Sequence, residues 1–195
     1  EFYAEIWDSI SAFVKIGVME DEKFSELAQN SIIFETKLGL DSVKEKEIEN
    51  KFLIKFNGKF YTTLENYANR NKSSDDNKIL YCTDEISQSN ALNLWLSNNR
   101  EVIKADPLID AQFIPWLESQ NEKYKFQRVD SEINDDIEKD SPEIVDKDGK
   151  SNTDNIKEII TNALNNEKVT VKVQSLKNNN APPALILLPE QMRRI

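Results

Sequence analysis

The sequence predicts an α/β fold in which helices cover both faces of a largely parallel sheet. Three observations predict it. Short apolar runs of strand length alternate with amphipathic runs of helical period, an Asn-Gly pair joins two strand-like runs, and an acidic segment precedes a second, shorter pattern. With 195 residues, of which 38% are hydrophobic, the chain can bury one substantial core or two modest ones.

The first forty residues predict a helical lead-in. The apolar residues of the first helix recur at near-helical spacing: Phe2, Ile6, Ile10, Phe13 and Val14. This helix is expected to end at Gly17, because glycine favours the left-handed conformation that closes many helices. A second helix is predicted over residues 21–34, where acidic residues suit the N-terminus and Phe24 and Leu27 share one side.

Residues 41–63 predict a charged loop followed by an inserted β-hairpin. Three apolar residues recur at every second position: Phe52, Ile54 and Phe56. Asn57-Gly58 comes next and supplies the positive φ angles that a type I′ turn needs. A second strand-like run over residues 59–63 completes the hairpin pattern.

Residues 64–130 alternate between helical and strand patterns. Helices are predicted over 64–68, 85–98 and 106–117, and strands over 78–82, 101–104 and 125–129. Asp106-Pro107 is typical of an N-cap followed by proline at the first helical position. Pro115 predicts a kink or a break, because an interior proline costs about 3 kcal/mol. Together these elements predict a three-layer α-β-α, Rossmann-like unit.

Residues 130–155 hold most of the negative charge. They contain ten acidic and three basic residues, which is −7 of the net −10. Without an aromatic residue this stretch cannot bury enough apolar surface to offset its ordering entropy, so an acidic linker is predicted over 131–153. A calcium loop is disfavoured, because placing Gly149 at position 6 leaves Asn155 where a carboxylate is required.

Residues 154–195 predict a small α+β segment. One helical stripe follows the spacing i, i+3, i+4, i+7 and i+8: Ile156, Ile159, Ile160, Ala163 and Leu164. Alternating valines over 169–173 predict a strand with one wet face. The apolar run 184–188 predicts a strand buried on both faces.

The residue types that are missing exclude several classes of chemistry. The absence of histidine excludes Ser-His-Asp triads, Cys-His pairs and histidine metal sites, and a single cysteine, Cys82, excludes an intrachain disulfide. The four glycines are too scattered for a nucleotide-binding loop. The net charge argues against nucleic acid, and the longest apolar run is too short to span a membrane. The chain begins with neither a methionine nor a signal-like segment, which predicts a piece of a longer protein.

Few side chains remain as candidates for a functional role. Asp84 and Glu85 are either an acid/base couple or charges that favour a helix N-terminus. Cys82, Trp95 and Leu96 are predicted to be core residues. The sequence does not decide whether the apolar stripe around Pro115 is core or an exposed interaction surface; its residues are Phe113, Trp116 and Leu117.

Three blocks of the sequence, in order, resemble the heat shock protein 90 family of molecular chaperones, in particular its bacterial form, high-temperature protein G. The first block covers residues 2–21 and includes Trp7, Gly17 and Asp21. The second consists of Leu64-Glu65-Asn66-Tyr67, Lys78-Ile79-Leu80-Tyr81-Cys82-Thr83, Glu101-Val102-Ile103 and Asp106-Pro107-Leu108-Ile109-Asp110. The third consists of Ala181-Pro182-Pro183-Ala184 and Glu190-Gln191-Met192-Arg193-Arg194. The hairpin insertion and Ala111-Gln112 depart from the family pattern.

The resemblance implies a division into four parts and a role in protein folding. The parts are the helical part of the middle domain (1–40), its small α/β/α part (41–130), the acidic linker (131–153) and the start of the C-terminal domain (154–195). The intact protein would be a cytoplasmic, homodimeric, ATP-hydrolysing chaperone of the stress response that binds unfolded or partly folded clients, with co-chaperones as further partners. This segment would couple the ATPase domain to the dimer domain.

The resemblance also implies what this segment would lack and where it would touch clients. ATP, Mg²⁺ and the catalytic arginine belong to the upstream part of the family's chain, so no enzyme activity, cofactor or metal is expected here. Alone, the segment is expected to be monomeric or weakly associated, without nucleic acid or membrane as partners. The client contacts expected are Phe113, Trp116, Leu117 and Met192.

Two other classes of protein remain open at this point. The first is a stand-alone α/β protein-binding adaptor whose acidic segment docks a basic partner. The second is a small hydrolase on a Rossmann-like sheet, which the absence of histidine and of a glycine-rich loop disfavours.

Overall fold

The computed structural model describes residues 2–39, 53–71, 78–131, 151–174 and 184–187. The chain forms two compact units, one of residues Glu1–Glu132 with Pro182–Ile195 and one of Ile133–Ala181. The helices of the first unit are α1 (Phe2–Glu20), α2 (Glu22–Ala28), α3 (Leu64–Arg70), α4 (Ser89–Ser97) and α5 (Asp110–Gln120). Its strands are β1 (Phe34–Lys37), β2 (Ile54–Phe56), β3 (Lys59–Thr62), β4 (Lys78–Cys82), β5 (Val102–Lys104) and β6 (Lys125–Arg128). The second unit contains α6 (Asn152–Leu164).

The six strands form one mixed sheet in the order β2-β3-β1-β5-β4-β6. β4 pairs in parallel with both β5 and β6, as the alternating pattern predicts. β1 is antiparallel to both β3 and β5. The predicted α/β class with an inserted hairpin is therefore confirmed, but the sheet is parallel only in the half formed by β4, β5 and β6.

The missed strand β1 explains this difference. The sequence prediction extended a helix to residue 34, whereas α2 ends at Ala28 and a 3₁₀ turn over Gln29–Ser31 leads into β1. Ile32, Ile33 and Phe34 are all buried, and β-branched and aromatic residues pack well in a sheet. Tertiary burial therefore decides the strand.

Helix α1 differs from its predicted end and from its predicted buried face. It continues through Gly17 to Glu20, and Gly17 does not have a positive φ. A Cβ atom on Gly17 would lie 3.0 Å from Cε1 of Phe24, so the glycine makes room for an aromatic ring rather than closing the helix. Trp7 and Val18 are buried on the face that packs into the core, whereas Phe13 is exposed.

The Asn57-Gly58 hairpin forms as predicted. Asn57 has a φ of 47° and Gly58 a φ of 76°, which is the left-handed pair of a type I′ turn. β2 and β3 pair antiparallel with Ile54 opposite Tyr61. A Cβ on Gly58 would meet no atom within 4 Å, so backbone conformation alone favours glycine there.

The core lies between the sheet and the helices and contains the predicted Trp95 and Cys82. Both side chains are buried, and the Trp95 indole N–H donates to the carbonyl of Val129 at 2.8 Å. Leu96 is only half-buried, because the neighbouring Leu94 occupies the inner face of α4.

The second unit contains the predicted helix but not the predicted strand. Ser151 and Asp154 form a reciprocal capping box at the start of α6. The stripe residues are all exposed: Ile156, Ile159, Ile160 and Leu164. Residues 169–173 do not form a strand, and in the first unit neither do residues 184–187, where Ile186 is exposed. An apolar run becomes a strand only when another strand satisfies its backbone groups, and no pairing of these residues occurs in the part of the chain described.

Candidate functional site

The N-terminal end of α5 is held by two aspartates. The Asp106 carboxylate accepts hydrogen bonds from the backbone N–H groups of Leu108 and Ile109 at 2.8 and 3.1 Å, so it acts as a cap, as predicted. A turn separates it from the first residue of the regular helix, Asp110. Asp110 in turn accepts from the Asp106 backbone N–H at 2.6 Å.

Asp110 forms a buried ion pair with Lys15 of α1. The Lys15 ammonium lies 2.7 and 2.9 Å from the two carboxylate oxygens, and both side chains are almost completely buried. The ammonium also lies 4.8 Å from the ring centroid of Phe34 and 5.7 Å from that of Phe113. Burial raises the pKa of Asp110, while Lys15 and the Asp106 N–H oppose that shift. The pair connects residues 95 positions apart and so joins α1 to α5.

Sequence reasoning missed this pair, although a signal was present. Lys15 follows Trp7 by eight positions and precedes Val18 by three, which is the spacing of one helix face. A lysine on the buried face of a helix requires a carboxylate partner in the core.

The predicted stripe on α5 is mostly core. Phe113 has no exposed surface and Leu117 is buried, which corrects the reading of these two side chains as client-contact surface. Trp116 is half-buried and stacks on Phe113 with a centroid separation of 5.6 Å. The Phe113 face of α5 packs into the core, beside Lys15 of α1. Met192 lies outside the described residues.

Pro115 neither breaks nor restarts the helix. It lies on the exposed face of α5, and α5 runs without interruption from Asp110 to Gln120. Ala111, whose carbonyl loses its partner at i+4, is also exposed, so water can hydrate that carbonyl.

A small polar cavity of about 170 Å³ lies beside the C-terminal end of α5. Its lining includes Gln29, Thr63, Glu65, Gln120 and Tyr124. The pKa of Tyr124 is raised, mainly by burial and also by the negative charge of Glu65.

A second buried polar cluster, centred on Glu101, joins α3 to β1 and to the residue just before β5. Arg70 donates to both Glu101 carboxylate oxygens at 2.7 and 3.1 Å. Thr36 of β1 and Asn71 donate to the same carboxylate at 2.8 and 2.9 Å. The Tyr67 hydroxyl donates to the Glu101 carbonyl at 2.8 Å. Each carboxylate oxygen therefore has two donors, which is how a buried charge is made stable.

Asp84 and Glu85 each form a hydrogen bond or an ion pair with a neighbouring residue. A hydrogen bond from the Ser87 side chain, and next one from the Ile86 N–H, lower the pKa of Asp84. Glu85 lies 2.8 Å from the Lys37 ammonium, whose hydrogen bond is the main cause of its lowered pKa. Both carboxylates are therefore held in the ionised form, whereas a general acid at neutral pH needs a raised pKa.

Cys82 has a hydrogen-bonded thiol rather than a reactive one. Its Sγ lies 3.2 Å from the Gln88 side-chain oxygen, which also accepts from the backbone N–H groups of Thr83 and Asp84. Burial raises the pKa of the Cys82 thiol to about 11. The side-chain amide of Gln88 donates to Asp130 at 3.0 Å, so this cluster links the chain after β4 to the chain after β6.

Among residues 2–39, 53–71, 78–131, 151–174 and 184–187, no three His, Cys, Asp or Glu side chains are grouped as metal ligands. Within the same residues, no helix combines the length and apolar character needed to cross a membrane.

The fold and its buried clusters define a mixed α/β unit whose elements are joined by buried charged groups. Three acids of the second family-like block take part: Asp106 caps α5, Asp110 pairs with Lys15 of α1, and Glu101 is the centre of the second cluster. The residues that carry the resemblance are thus residues that hold the elements together.

Comparison with known proteins gives the same family. The chain is 25% identical over 207 residues to the chaperone protein HtpG of Bacteroides thetaiotaomicron, which covers 99% of this chain and 26% of the relative. It is 26% identical over the same span to HtpG of Bacteroides fragilis strain YCH46. It is 30% identical over 132 residues, or 67% of this chain, to HtpG of Porphyromonas gingivalis strain W83. No family model matches the chain.

These matches confirm the resemblance to the heat shock protein 90 family in its bacterial form, HtpG. The chain spans about a quarter of the length of the curated relatives it matches along its whole length.

Proposed function

We propose that this chain is the later middle domain and the start of the C-terminal domain of an ATP-dependent, cytoplasmic molecular chaperone that binds unfolded or partly folded proteins. The observation that carries the proposal is the similarity to HtpG chaperones over 99% of the chain. In this proposal ATP and Mg²⁺ bind outside the segment and the intact protein is a homodimer. No step of ATP chemistry is assigned to the residues described here.

The proposed coupling role is supported by the way buried charged groups join the elements of the first unit. The Lys15–Asp110 pair joins α1 to α5, and the Glu101 cluster joins α3 to β1, in both cases through buried charged hydrogen bonds. Displacing one element would break bonds in the interior, so the unit is expected to move as one body. Nucleotide-dependent rearrangement upstream would then shift the population of client-binding arrangements without deforming this unit.

Client contact within α5 is assigned to Trp116. Phe113, which stacks on Trp116, and Leu117 are buried, whereas Trp116 has partly exposed aromatic surface. Partly exposed aromatic residues are enriched at binding surfaces because they add apolar area at low entropic cost.

The test is suppression of aggregation of heat-denatured citrate synthase by the 195-residue chain. Wild-type chain is expected to reduce light scattering, and Trp116→Ser to reduce it less, while Trp116→Phe retains the effect. Equal suppression by Trp116→Ser and wild type would remove Trp116 from the client surface. No suppression by any of the three proteins would contradict client binding by this segment.

A second candidate function is the protein-binding adaptor, which the charge count supports. Residues 130–155 carry −7 of the net −10. Deleting residues 131–153 would abolish binding to basic partner proteins in an adaptor and leave it unchanged in a chaperone segment, with circular dichroism as the folding control.

A further inference from the structure

Helices α1 and α2 expose a group of large apolar side chains, which we name the outer patch. Its members and their exposed fractions are Phe13 (78%), Ile16 (37%), Phe24 (40%) and Leu27 (82%). Isolated exposed apolar residues are ordinary on protein surfaces, but a contiguous group is typical of an interaction site.

The packing of α1 against α2 makes the outer patch contiguous. The Phe24 ring lies against Gly17, where an added Cβ would be 3.0 Å from ring carbon Cε1. Phe13 precedes Gly17 by one turn of α1, and Leu27 follows Phe24 by one turn of α2. Asp21 begins α2 directly after the end of α1, and its carboxylate caps α2 by accepting from the Phe24 N–H at 2.9 Å.

The outer patch is not a substitute for core packing. Helix α1 has a second apolar face, which contains Ala4, Trp7 and Val18 and is buried in the core of the first unit. Phe13 and Leu27 contribute little to that core, because more than three quarters of each side chain faces solvent. Their apolar character therefore indicates a role other than stabilising the core.

The charged residues of helices α1 and α2 are mostly negative. Residues 2–31 contain six acids, Glu5, Asp8, Glu20, Asp21, Glu22 and Glu26, and only two lysines. Lys15 is buried in its pair with Asp110, so Lys23 is the only lysine left to the surface of this stretch. The two helices that carry the outer patch therefore have an excess of acidic residues.

We propose that the outer patch binds a basic amphipathic helix of another protein. Apolar side chains on one face of that helix would cover Phe13 and Leu27, and flanking Lys or Arg residues would meet acidic residues of α1 and α2. A second copy of this chain fits poorly, because it would bring two acidic surfaces together and carries a net charge of −10 itself. The proposal does not depend on chaperone activity, since binding is measured directly.

The experiment measures binding of a fluorescein-labelled 18-residue helical peptide to the 195-residue chain. The peptide carries leucines at positions i, i+3, i+4 and i+7 and lysines on its other positions. A charge-reversed peptide has glutamate in place of each lysine. The double variant Phe13→Gln/Leu27→Gln removes the patch, and glutamine retains a good helix propensity.

The matched control variant is Ile86→Gln/Leu108→Gln. Ile86 and Leu108 are exposed by 86% and 80%, so this variant removes equally exposed apolar surface from outside α1 and α2. Circular dichroism and urea unfolding establish that both variants fold as the wild type does.

The lysine peptide is expected to bind wild type and the control variant alike and the patch variant at least about tenfold more weakly, because apolar anchors carry most of the binding energy of such interfaces. Binding should also weaken with added salt, and the glutamate peptide should not bind. The proposal is overturned if the patch variant binds as wild type does, if both peptides bind equally, or if neither binds. It is also overturned if sedimentation shows a dimer of this chain that the patch variant dissociates.

Discussion

At the scale of single residues, the central feature is the buried pair of Lys15 and Asp110. Transferring two charges from water to the interior is costly, and their mutual attraction offsets that cost only when the geometry is good. Here the ammonium contacts both carboxylate oxygens, and Asp110 accepts a further bond from the Asp106 N–H. The pair therefore specifies how α1 meets α5 more than it adds to net stability.

Breaking this pair from one side should destabilise the protein strongly. Lys15→Met leaves a buried carboxylate without its cation, so the free energy of unfolding should fall by about 3–5 kcal/mol. The double variant Lys15→Met/Asp110→Asn should lose less than Lys15→Met alone, since neither charge remains. Urea unfolding measures both values. Equal losses in the single and double variants would contradict the role given to the pair.

Phe113 and Trp116 should respond differently to truncation, although they stack on each other. Phe113→Ala opens a cavity in the core and should cost about 3–5 kcal/mol, whereas Trp116→Ala should cost less because part of the ring faces solvent. Thermal unfolding of both variants measures the difference. A Phe113→Ala protein as stable as wild type would show that this side chain is not a core residue.

The thiol of Cys82 should be unreactive in the folded protein. With a pKa of about 11, only about 0.1% of the thiol is ionised at pH 8, and the side chain is also buried. Alkylation by iodoacetamide should be slow at pH 8 and become fast in 8 M urea, where the pKa returns to its ordinary value. Mass spectrometry gives both rates, and similar rates in the two conditions would contradict the burial.

At the scale of elements, local sequence alone determines some helices and turns, whereas others depend on tertiary burial. The Asn57-Gly58 hairpin and the capped helices α2 and α6 follow from local rules, because turn and cap residues determine them. β1 does not, because Ile32, Ile33 and Phe34 also fit the end of a helix. It becomes a strand since β3 and β5 both supply backbone partners.

The hairpin turn provides a test of purely local conformational energy. Gly58→Ala should destabilise the protein by about 1 kcal/mol, because a φ of 76° is unfavourable for alanine and an added Cβ meets no atom within 4 Å. Asn57→Gly is the matched control, since glycine also adopts a positive φ at the neighbouring position. The denaturation midpoints of the two variants are compared, and a Gly58→Ala protein as stable as the Asn57→Gly control would refute the type I′ assignment.

At the scale of the whole molecule, the Glu101 cluster lies where the two halves of the sheet meet. Glu101 immediately precedes β5, the strand that pairs in parallel with β4 and antiparallel with β1. Its carboxylate binds Thr36 of β1 and Arg70 of α3, so one side chain connects both halves. Such a cluster makes the first unit a single cooperative body, as the proposed coupling role requires.

The composition of the acidic segment leads to a prediction for the whole chain. Limited proteolysis should cleave first between residues 131 and 153, because this stretch has many charges and no aromatic residue to hold it in a core. Protease Glu-C and mass spectrometry of the first products locate the cut. Initial cleavage within α1 or β1 would contradict the linker prediction.

The sequence by itself determined the α/β class, the hairpin, the cap at Asp106, the core position of Trp95 and the resemblance to the chaperone family. These follow from period, turn chemistry and ordered blocks, which are local properties of the chain. Only the tertiary structure decided that Lys15 pairs with Asp110, that Phe113 is core, and that Phe13 and Leu27 face solvent. Helix α1 has two apolar faces, and periodicity cannot choose between them. The choice depends on which face meets the sheet, and that depends on residues far away in the sequence.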